Sequence, residues 1–475
     1  MAARTEYDAI IVGAGPNGLA AAITIARAGC SVLVLEASET VGGGARSGEI
    51  TLPGFRHDIC SAIHPLGVGS PFFRSLSLAE YGLKWVYSPV PLAHPLDDGT
   101  AVVLERSVEE AAAGLGRDAR AYERLMGPIV RGADALMPDI LGPLRIPRHP
   151  LLLVRFGLRA MQSARGLAER IFTTERASAL FAGLSAHSMI PLEYAFSASF
   201  GMVLGILGHS VGWPLPRGGS QSISNALAGY LRAIGGEIVT GRRVDSLREL
   251  PSSRAVLCDV TPRQLIRLAG DRLPPGYIRR LARYRYGPAV FKVDYALNGP
   301  IPWRAPECTR AATVHLGGTL PEIAQSEQDA WTGVHTERPF TLVAQQSLFD
   351  PSRAPAGKQT AWAYCHAPHG SDFDMTDRLE AQIERFAPGF KDQVLARSVM
   401  TASDFEAYNA NDVGGDIAGG ASDMLQLFTR PTARIVPYST PDPALFICSA
   451  STPPGAGVHG MSGYFAALAA LKSVL

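Results

Sequence analysis

The sequence predicts an α/β fold, and three observations lead to this prediction. First, the apolar run 9–12 is followed by glycines spaced G-x-G-x-x-G and by an alanine-rich helix from about Asn17 to Ala28. Second, the continuously apolar run Ser31–Leu35 reads as a parallel strand buried on both faces. Third, residues 445–475 repeat the order of short strand, glycine-rich turn and alanine-rich helix. This order is typical of a Rossmann-type dinucleotide-binding unit.

The glycines of the first turn predict where a pyrophosphate binds. Gly13 permits the tight turn, Gly15 lets the backbone approach the phosphates, and Gly18 lets the helix pack closely on the strand. The helix N-terminus adds free N–H groups and a partial positive charge. The predicted binding residues of this turn are Gly13, Ala14, Gly15, Pro16, Asn17 and Gly18.

Glu36 ends the second strand and is predicted, with Ala37, to contact the ribose. Glu36 lies 18 positions after Gly18, which is the spacing at which a carboxylate accepts hydrogen bonds from ribose hydroxyls. A carboxylate would repel a 2′-phosphate. The dinucleotide is therefore not expected to be NADP.

A second glycine cluster, VGGGARS at 41–47, distinguishes among dinucleotides. It resembles the glycine-glycine-arginine extension of the amine-oxidase and phytoene-desaturase clan of flavoproteins. The resemblance implies noncovalent FAD, with Gly43, Gly44 and Arg46 beside the pyrophosphate. In this chain Gly44 and Ala45 separate the first two glycines of the cluster from Arg46, whereas the commonest form of the motif has the arginine directly after the glycines.

Further segments extend this resemblance along the whole chain. WPLPRGG, YGPAVFKVDYAL, GGDIAGG and STPPGAGVHGMSGY together resemble the phytoene-dehydrogenase-related FAD oxidoreductases, more closely the branch without an assigned substrate than true carotenoid desaturases. The resemblance implies a backbone contact of Val244 with adenine. It also implies that the last helix points its N-terminus at the flavin, with Gly457, His459, Gly460 and Met461 at the cofactor.

The predicted architecture is a discontinuous Rossmann-type FAD-binding domain with an inserted α+β substrate domain. The FAD-binding domain is assigned to residues 1–70, 210–270 and 428–475, and the substrate-binding domain to residues 71–209 and 271–427. Apolar residues recur at spacings of three and four through much of 71–209, which predicts a helical part there. Ser220 is predicted to cap the helix that follows Gly218 and Gly219.

Bulk properties exclude several classes of protein. A net charge of +1 gives no reason to expect nucleic acid as a partner. The six cysteines form no C-x-x-C pair or metal-ligand cluster, so neither a disulfide framework nor a metal site is predicted, and they read as buried thiols in a reducing compartment. The βαβ unit begins by Tyr7 with no cationic leader before it, which predicts a cytoplasmic protein.

Catalytic residues are less clearly marked than cofactor residues. His459 and His64 are the candidates for acid-base chemistry; for His459 a turn or flavin contact is an equal alternative, and for His57 and His64 a loop histidine bonded to backbone is the favoured one. The strand AWAYCH places Trp362, Tyr364 and His366 on one face. That face is either an aromatic pocket wall or, more simply, a packed sheet face.

Residues 144–165 contain five arginines and no acid, interleaved with apolar residues. Such a stretch can lie on an anionic bilayer, which would be useful if the substrate is extracted from lipid and would make the protein peripheral on the inner membrane face. A solvated helix face or a subunit contact explains the pattern equally well, and the oligomeric state is not predicted.

The function predicted from these observations is FAD-dependent dehydrogenation of a lipophilic, isoprenoid-like substrate, with hydride transfer to flavin N5. A reductase or isomerase of unsaturated lipids is the alternative within enzymes. A nonredox interaction protein that retains FAD is the alternative from another class. Turnover of the flavin distinguishes the two classes.

Overall fold

The computed structural model describes residues 6–475 and contains a five-stranded parallel sheet. The register of each strand pair is parallel, so all carboxyl ends meet at one edge of the sheet. Across the sheet the strands are ordered Leu445–Ile447, Ser252–Cys258, Glu6–Val12, Val32–Leu35 and Glu237–Val239. The edge where the carboxyl ends meet is the place where α/β sheets bind ligands.

Helices cover this parallel sheet and bury its faces. The helix Pro16–Arg27 begins with proline, which is favoured in the first turn because that position has no intrahelical N–H bond to make. The helix Met461–Ser473 packs directly on it: a Cβ at Gly463 would lie 1.8 Å from the carbonyl oxygen of Asn17. The other helices near this sheet are Gln221–Ala233, Pro262–Ala269 and Pro275–Leu281.

A seven-stranded sheet forms the second layer of the molecule. Its pairs are antiparallel except for one parallel pair, Val90–Pro95 with Ala311–Leu316. The strand order is Val394–Met400, Ala289–Leu297, Gln359–Ala367, Thr341–Ala344, Ala311–Leu316, Val90–Pro95 and Ala101–Leu104. Two short pairs join Ser47–Gly48 to His57–Asp58 and Trp85–Val86 to Leu215–Pro216.

Most remaining helices lie between residues 65 and 210 or on the second sheet. The first group is Pro65–Gly69, Pro71–Arg74, Val108–Ala113, Ala119–Val130, Ala133–Ile140, Pro150–Ala160, Ala164–Ile171, Glu175–Ala186 and Ser197–Ser210. The second group is Leu320–Thr332, Gln346–Phe349, Thr376–Phe386, Ala402–Tyr408 and Met424–Thr429. Short 3₁₀ turns are Leu78–Tyr81, Gly116–Asp118, Leu247–Glu249, Gly270–Arg272, Pro306–Arg310, Pro351–Arg353, Lys391–Gln393 and Val413–Gly415.

Two local predictions need correction. The predicted helical part 71–209 contains the hairpin Val90–Pro95 and Ala101–Leu104, which turns at Asp98-Gly99 and joins the second sheet. Asp-Gly between two apolar runs is a hairpin signal, and the surrounding helical pattern obscured it. Ser220 precedes the helix Gln221–Ala233, but its side chain makes no capping bond because it bonds elsewhere.

The three segments assigned to the FAD-binding domain supply the strands of the parallel sheet, as far as residues 6–475 describe them. Residues 1–5 of the first segment lie outside the described residues. The domain boundaries themselves stay a prediction. None of the helices within 6–475 is both long enough and apolar enough to cross a membrane.

Candidate functional site

A cavity of about 530 Å³ is lined by residues of both sheets. One end is lined by the strand ends and turns of the parallel sheet, including Glu36 and Val244. The other end is lined by the helix and sheet surfaces of the second layer, including Leu342 and Trp362. Its volume is in the range of ordinary ligand and cofactor sites.

The predicted phosphate turn lines the end of the cavity at the parallel sheet. Gly13, Gly15, Pro16 and Asn17 line it, while Ala14 and Gly18 lie just behind. The N–H groups of Gly15 and Asn17 and the buried Oδ1 of Asn17 have no hydrogen-bond partner among the described residues. A Cβ at Gly15 would lie 2.7 Å from Asp259 Oδ2, so a side chain there would displace Asp259. These free groups fit a pyrophosphate.

Asp259 brings an unexpected carboxylate to the same turn. It follows the strand Ser252–Cys258, lines the cavity, and its Oδ2 accepts a hydrogen bond of 2.8 Å from the N–H of Gly18. The pKa of Asp259 is raised to about 7, chiefly by burial; the hydrogen bond from Gly18 opposes this rise and the nearby Glu36 carboxylate adds to it. Near neutral pH this group therefore exists in both charge states.

Glu36 is held where the sequence predicted it. Its Oε2 accepts from the N–H of Ala14 at 2.7 Å, and its Oε1 accepts from the N–H of Ser38 at 2.8 Å. Glu36 and Ala37 both line the cavity, as does Val244, the predicted adenine neighbour. Two backbone bonds orient the carboxylate and leave it at the cavity wall.

The second glycine cluster packs directly on the first. A Cβ at Gly43 would lie 3.2 Å from the Cα of Gly15, and Gly43, Gly44 and Arg46 all line the cavity. The guanidinium of Arg46 lies 4.1 Å from the ring centroid of Tyr408 and donates through Nη2 to the Tyr408 carbonyl oxygen at 3.0 Å. The cation is thus fixed beside the phosphate turn by stacking and hydrogen bonding.

His64 lines the cavity and has a defined tautomer. Its Nε2 lies 2.8 Å from Ser220 Oγ, which donates its own proton to the carbonyl oxygen of Ser61. Ser220 must therefore accept from Nε2, which leaves the lone pair on His64 Nδ1. Burial lowers the pKa of His64 to about 4 despite the Asp58 carboxylate nearby, so the ring is neutral at neutral pH.

The C-terminal turn reaches the cavity with Ala456, Gly457 and Val458 only. His459, Gly460 and Met461, which were predicted at the cofactor, do not line the cavity. The Nδ1 of His459 accepts from the N–H of Met461 at 3.0 Å, so this buried ring caps the last helix. Burial lowers the pKa of His459 to about 4. The other ring nitrogen, Nε2, is buried and has no hydrogen-bond partner among the described residues.

The far end of the cavity is apolar and aromatic. It is lined by Met189, Leu204, Trp213, Leu342, Trp362 and Tyr364. The rings of Trp362 and Tyr364 lie 5.3 Å apart on one sheet face, as the alternation predicted. His187 adds one polar ring to this wall.

The neighbouring His366 and His57 do not line the cavity. His366 Nδ1 lies 2.8 Å from a Glu327 oxygen in the core, so the strand face that carries Trp362 is part pocket wall and part packed sheet. His57 is buried with its Nε2 2.7 Å from Thr51 Oγ1. Among residues 6–475 no group of three or more metal-ligating side chains is arranged to hold an ion.

Comparisons with known proteins agree with this geometry. The family described as "NAD(P)-binding Rossmann-like domain" matches residues 11–76. The rat "Pyridine nucleotide-disulfide oxidoreductase domain-containing protein 2" is 26% identical over 98% of this chain and 93% of its own length. "Phytoene desaturase (lycopene-forming)" of Pseudescherichia vulneris is 24% identical over 97% of this chain and 98% of its own.

Solved structures share the fold over almost the whole chain. An oxidoreductase from Methanosarcina mazei has a TM-score of 0.66 at 16% identity, covering 98% of this chain and 99% of that one. Putrescine oxidase bound to putrescine has a TM-score of 0.62 at 17% identity, covering 98% of each chain.

The fold is thus of the Rossmann type, and the chain is similar along nearly its whole length to oxidoreductases. The resemblance to the phytoene-desaturase and amine-oxidase clan is confirmed, since relatives with both kinds of name match this chain nearly end to end.

Several cavity residues were missed by reasoning from sequence. Asp259, His187, Trp213 and Tyr408 line the cavity from four separate segments. Asp259 directly follows a buried strand whose neighbour carries the glycine turn, and this position is a signal that points to the site. His187, Trp213 and Tyr408 reach the cavity only through tertiary packing, and no local pattern marks them.

Proposed function

We propose that this chain binds FAD noncovalently and dehydrogenates a lipophilic, isoprenoid-like substrate. The observation that carries the proposal is the continuity of the cavity from the glycine turn to the apolar wall of Trp213, Leu342 and Trp362. A dinucleotide that fills the first part would present its far end to an apolar space. The desaturase names among the relatives support the same class of reaction.

Bound FAD would supply a hydride acceptor at N5, and the residues of this chain perform the remaining tasks. Gly15, Asn17 and Glu36 would hold the dinucleotide by its phosphates and ribose. The apolar wall would orient the substrate and exclude water. Orientation by an enclosed wall favours a single reacting carbon over its neighbours.

His64 is the residue we assign to proton transfer. Its ring is neutral, and its free nitrogen is Nδ1, since Nε2 donates to Ser220. Removal of two hydrogens requires a proton to leave as the hydride leaves. His64 Nδ1 would receive that proton, while Ser220 and Ser61 keep the ring in its tautomer.

Anaerobic mixing of FAD-loaded protein with candidate substrates tests the proposal. We expect bleaching of the flavin absorbance by a saturated or partly saturated isoprenoid, and a product two hydrogens lighter by mass spectrometry. Reoxidation of photoreduced FAD by an enone, without bleaching, would favour the reductase alternative. Isomerised substrate without net bleaching would favour an isomerase. FAD that is reoxidised by neither oxygen, quinone nor enone would favour the nonredox protein.

We also propose that the protein lies peripherally on an anionic membrane surface, from which it takes its substrate. Leu144, Ile146, Leu151, Val154 and Leu158 are exposed apolar residues of segment 144–165. Phe428 is also exposed and contacts Phe196 with ring centroids 5.0 Å apart, and the N–H of Phe196 donates to the carbonyl oxygen of Met161 in this segment. Apolar residues interleaved with cations suit the headgroup region of a bilayer.

Charge decides which bilayer this patch suits. Arg148, Arg155 and Arg159 form no ion pair with any described residue, whereas Arg165 is paired with Glu169 and Glu193. Each free arginine near an anionic surface contributes about 1 kcal/mol, and the attraction weakens with salt.

Liposome cosedimentation tests the membrane proposal. Wild-type protein should pellet with anionic vesicles at low salt and be released at high salt. The triple variant Arg148→Glu, Arg155→Glu, Arg159→Glu should stay in solution. Its control, Arg117→Glu, Arg120→Glu, Arg124→Glu, makes the same charge change at exposed positions of the helix Ala119–Val130 and of the turn before it, and should pellet like wild type. Equal pelleting of all three proteins would reject the proposal.

A further inference from the structure

Three histidines form a row that leads from the core to the apolar end of the cavity. His94 and His315 are fully buried, and His187 lines the cavity. His315 Nε2 lies 3.0 Å from His187 Nε2. Gly183 lies between His315 and His94. A Cβ atom added to Gly183 would lie 2.9 Å from His315 Nδ1 and 3.3 Å from His94 Nδ1.

The inner end of the row has one arrangement of protons. His94 Nε2 lies 2.8 Å from the carbonyl oxygen of Gly318, which can only accept, so Nε2 carries the proton and Nδ1 is a lone pair. The Nδ1 atoms of His94 and His315 are both buried without a hydrogen-bond partner. Both face the Cα of Gly183, whose C–H is a weak donor to a lone pair.

This environment also sets the tautomer of His315. A buried N–H without an acceptor is rarer and costs more free energy than a buried lone pair without a donor. We therefore assign the lone pair of His315 to its unpaired Nδ1. The proton of His315 is then on Nε2, the nitrogen that faces His187. His187 Nε2 must accept this proton in a hydrogen bond.

The remaining nitrogen of His187 is therefore a donor. Its Nδ1 carries the proton of the neutral ring and has no hydrogen-bond partner among the described residues, while the ring itself is only half-buried at the cavity wall. Trp213 packs edge-on against the His187 ring, with the two ring centroids 5.8 Å apart, and limits the rotation of that ring. Burial, with the nearby His366, lowers the pKa of His187 to about 3, so the donor is neutral rather than cationic.

We propose that His187 Nδ1–H donates a hydrogen bond to a carbonyl oxygen, so that the substrate of this site is a lipophilic carbonyl compound rather than a pure hydrocarbon. This inference rests on the proposed function and names its substrate class. A neutral imidazole can polarise a carbonyl group in this way. A hydrocarbon in the same place would leave the N–H unpaired in an apolar wall, which disfavours its binding.

The tautomers are measurable without any substrate. Long-range ¹H–¹⁵N NMR of histidine-labelled, FAD-loaded protein distinguishes a protonated ring nitrogen from a lone-pair nitrogen, and the His187→Phe variant assigns the His187 signals. We expect His187 protonated on Nδ1 and His315 protonated on Nε2. A His187 ring protonated on Nε2 would overturn the inference, whatever the outcome for FAD or turnover.

Ligand binding gives a second, independent readout. The probes are 2-decanone and its isostere 2-methyl-1-decene, in which =CH₂ replaces the carbonyl oxygen, and binding is followed by the absorbance of bound flavin. We expect the ketone to bind about tenfold more tightly to wild type, a ratio that corresponds to about 1.4 kcal/mol. The ratio should fall to about one in His187→Phe and stay at its wild-type value in the control His335→Phe, which changes a histidine outside the cavity.

The two readouts separate failure of the inference from failure of the proposed function. Equal binding of ketone and alkene to wild type would overturn the role of His187 while leaving an apolar site beside the flavin. If neither probe changes the flavin absorbance, the proposed function is contradicted. The NMR measurement would then still show which nitrogen of His187 carries the proton.

Discussion

The two ends of the cavity are built from different parts of the chain. The nucleotide end consists largely of backbone: the glycines of two turns and N–H groups near one helix start, joined by the charged side chains of Glu36, Arg46 and Asp259. The apolar end consists of side chains, among them Met189, Trp213 and Trp362, brought together from distant segments. A change at the nucleotide end should therefore affect cofactor retention, and a change at the apolar end should affect only ligand choice.

The largest effect is expected from Gly15→Val. A Cβ at this position would lie 2.7 Å from Asp259 Oδ2 and would enter the space that the phosphates require. We expect FAD affinity to fall by about 100-fold or more, since a close backbone approach is lost outright. The FAD content of the purified protein measures it. Gly157→Val is the control, because nothing lies within 4 Å of a Cβ there; stoichiometric FAD in Gly15→Val would contradict the cofactor site.

Trp362→Ala should have the opposite effect: ligand binding should weaken, and FAD binding should stay the same. Truncation of a large aromatic residue in a binding wall typically costs about 2 kcal/mol or more, so we expect roughly 30-fold weaker binding of 2-decanone. FAD content should not change. Trp331→Ala is the matched control, since Trp331 packs on Tyr194 and does not line the cavity. Loss of FAD from Trp362→Ala would show that the two ends are not independent.

FAD binding should also depend on pH through Asp259. The pKa of this carboxyl group is raised to about 7 by burial, and Glu36 is the other acid facing it. The protonated form has no charge to repel phosphates, so FAD affinity should be greatest below pH 7 and fall by about tenfold per pH unit above it.

Asp259→Asn provides the comparison for this pH dependence. The amide carries no charge at any pH, so FAD affinity should be high and nearly constant between pH 6 and 9. Isothermal titration in two buffers of different ionisation enthalpy would also detect proton uptake by the wild type at pH 8. A wild-type affinity that is constant with pH would remove Asp259 from the phosphate site.

The smallest effect at the nucleotide end is expected from Glu36→Gln. Glutamine keeps one oxygen for the N–H of Ala14 but lacks the second oxygen, which accepts from Ser38, and the charge that strengthens a bond to ribose. We expect about fivefold weaker FAD binding, equivalent to about 1 kcal/mol. Fluorescence titration of apoprotein with FAD measures this change. An unchanged affinity would place the ribose elsewhere.

The difference between the ends also explains what the sequence could predict. The strand, glycine turn and first helix follow from local rules, and the predicted helix 17–28 differs by one residue at each end from the observed Pro16–Arg27. His459 does not line the cavity, since a histidine beside a glycine turn can face either the ligand or its own helix, and only packing decides. His187 has no local signal, because its meaning depends on His315, which lies 128 positions away in sequence.

The proposed function requires that one cavity holds a flavin cofactor and a lipophilic ligand in contact. The most direct measurement is the absorption spectrum of FAD-loaded protein during titration with 2-decanone, with binding followed separately by tryptophan fluorescence. We expect one FAD per chain and a saturable shift of the flavin band that follows the same binding curve as the fluorescence. Ligand binding that leaves the flavin band unchanged, or a protein that retains no FAD, would contradict it.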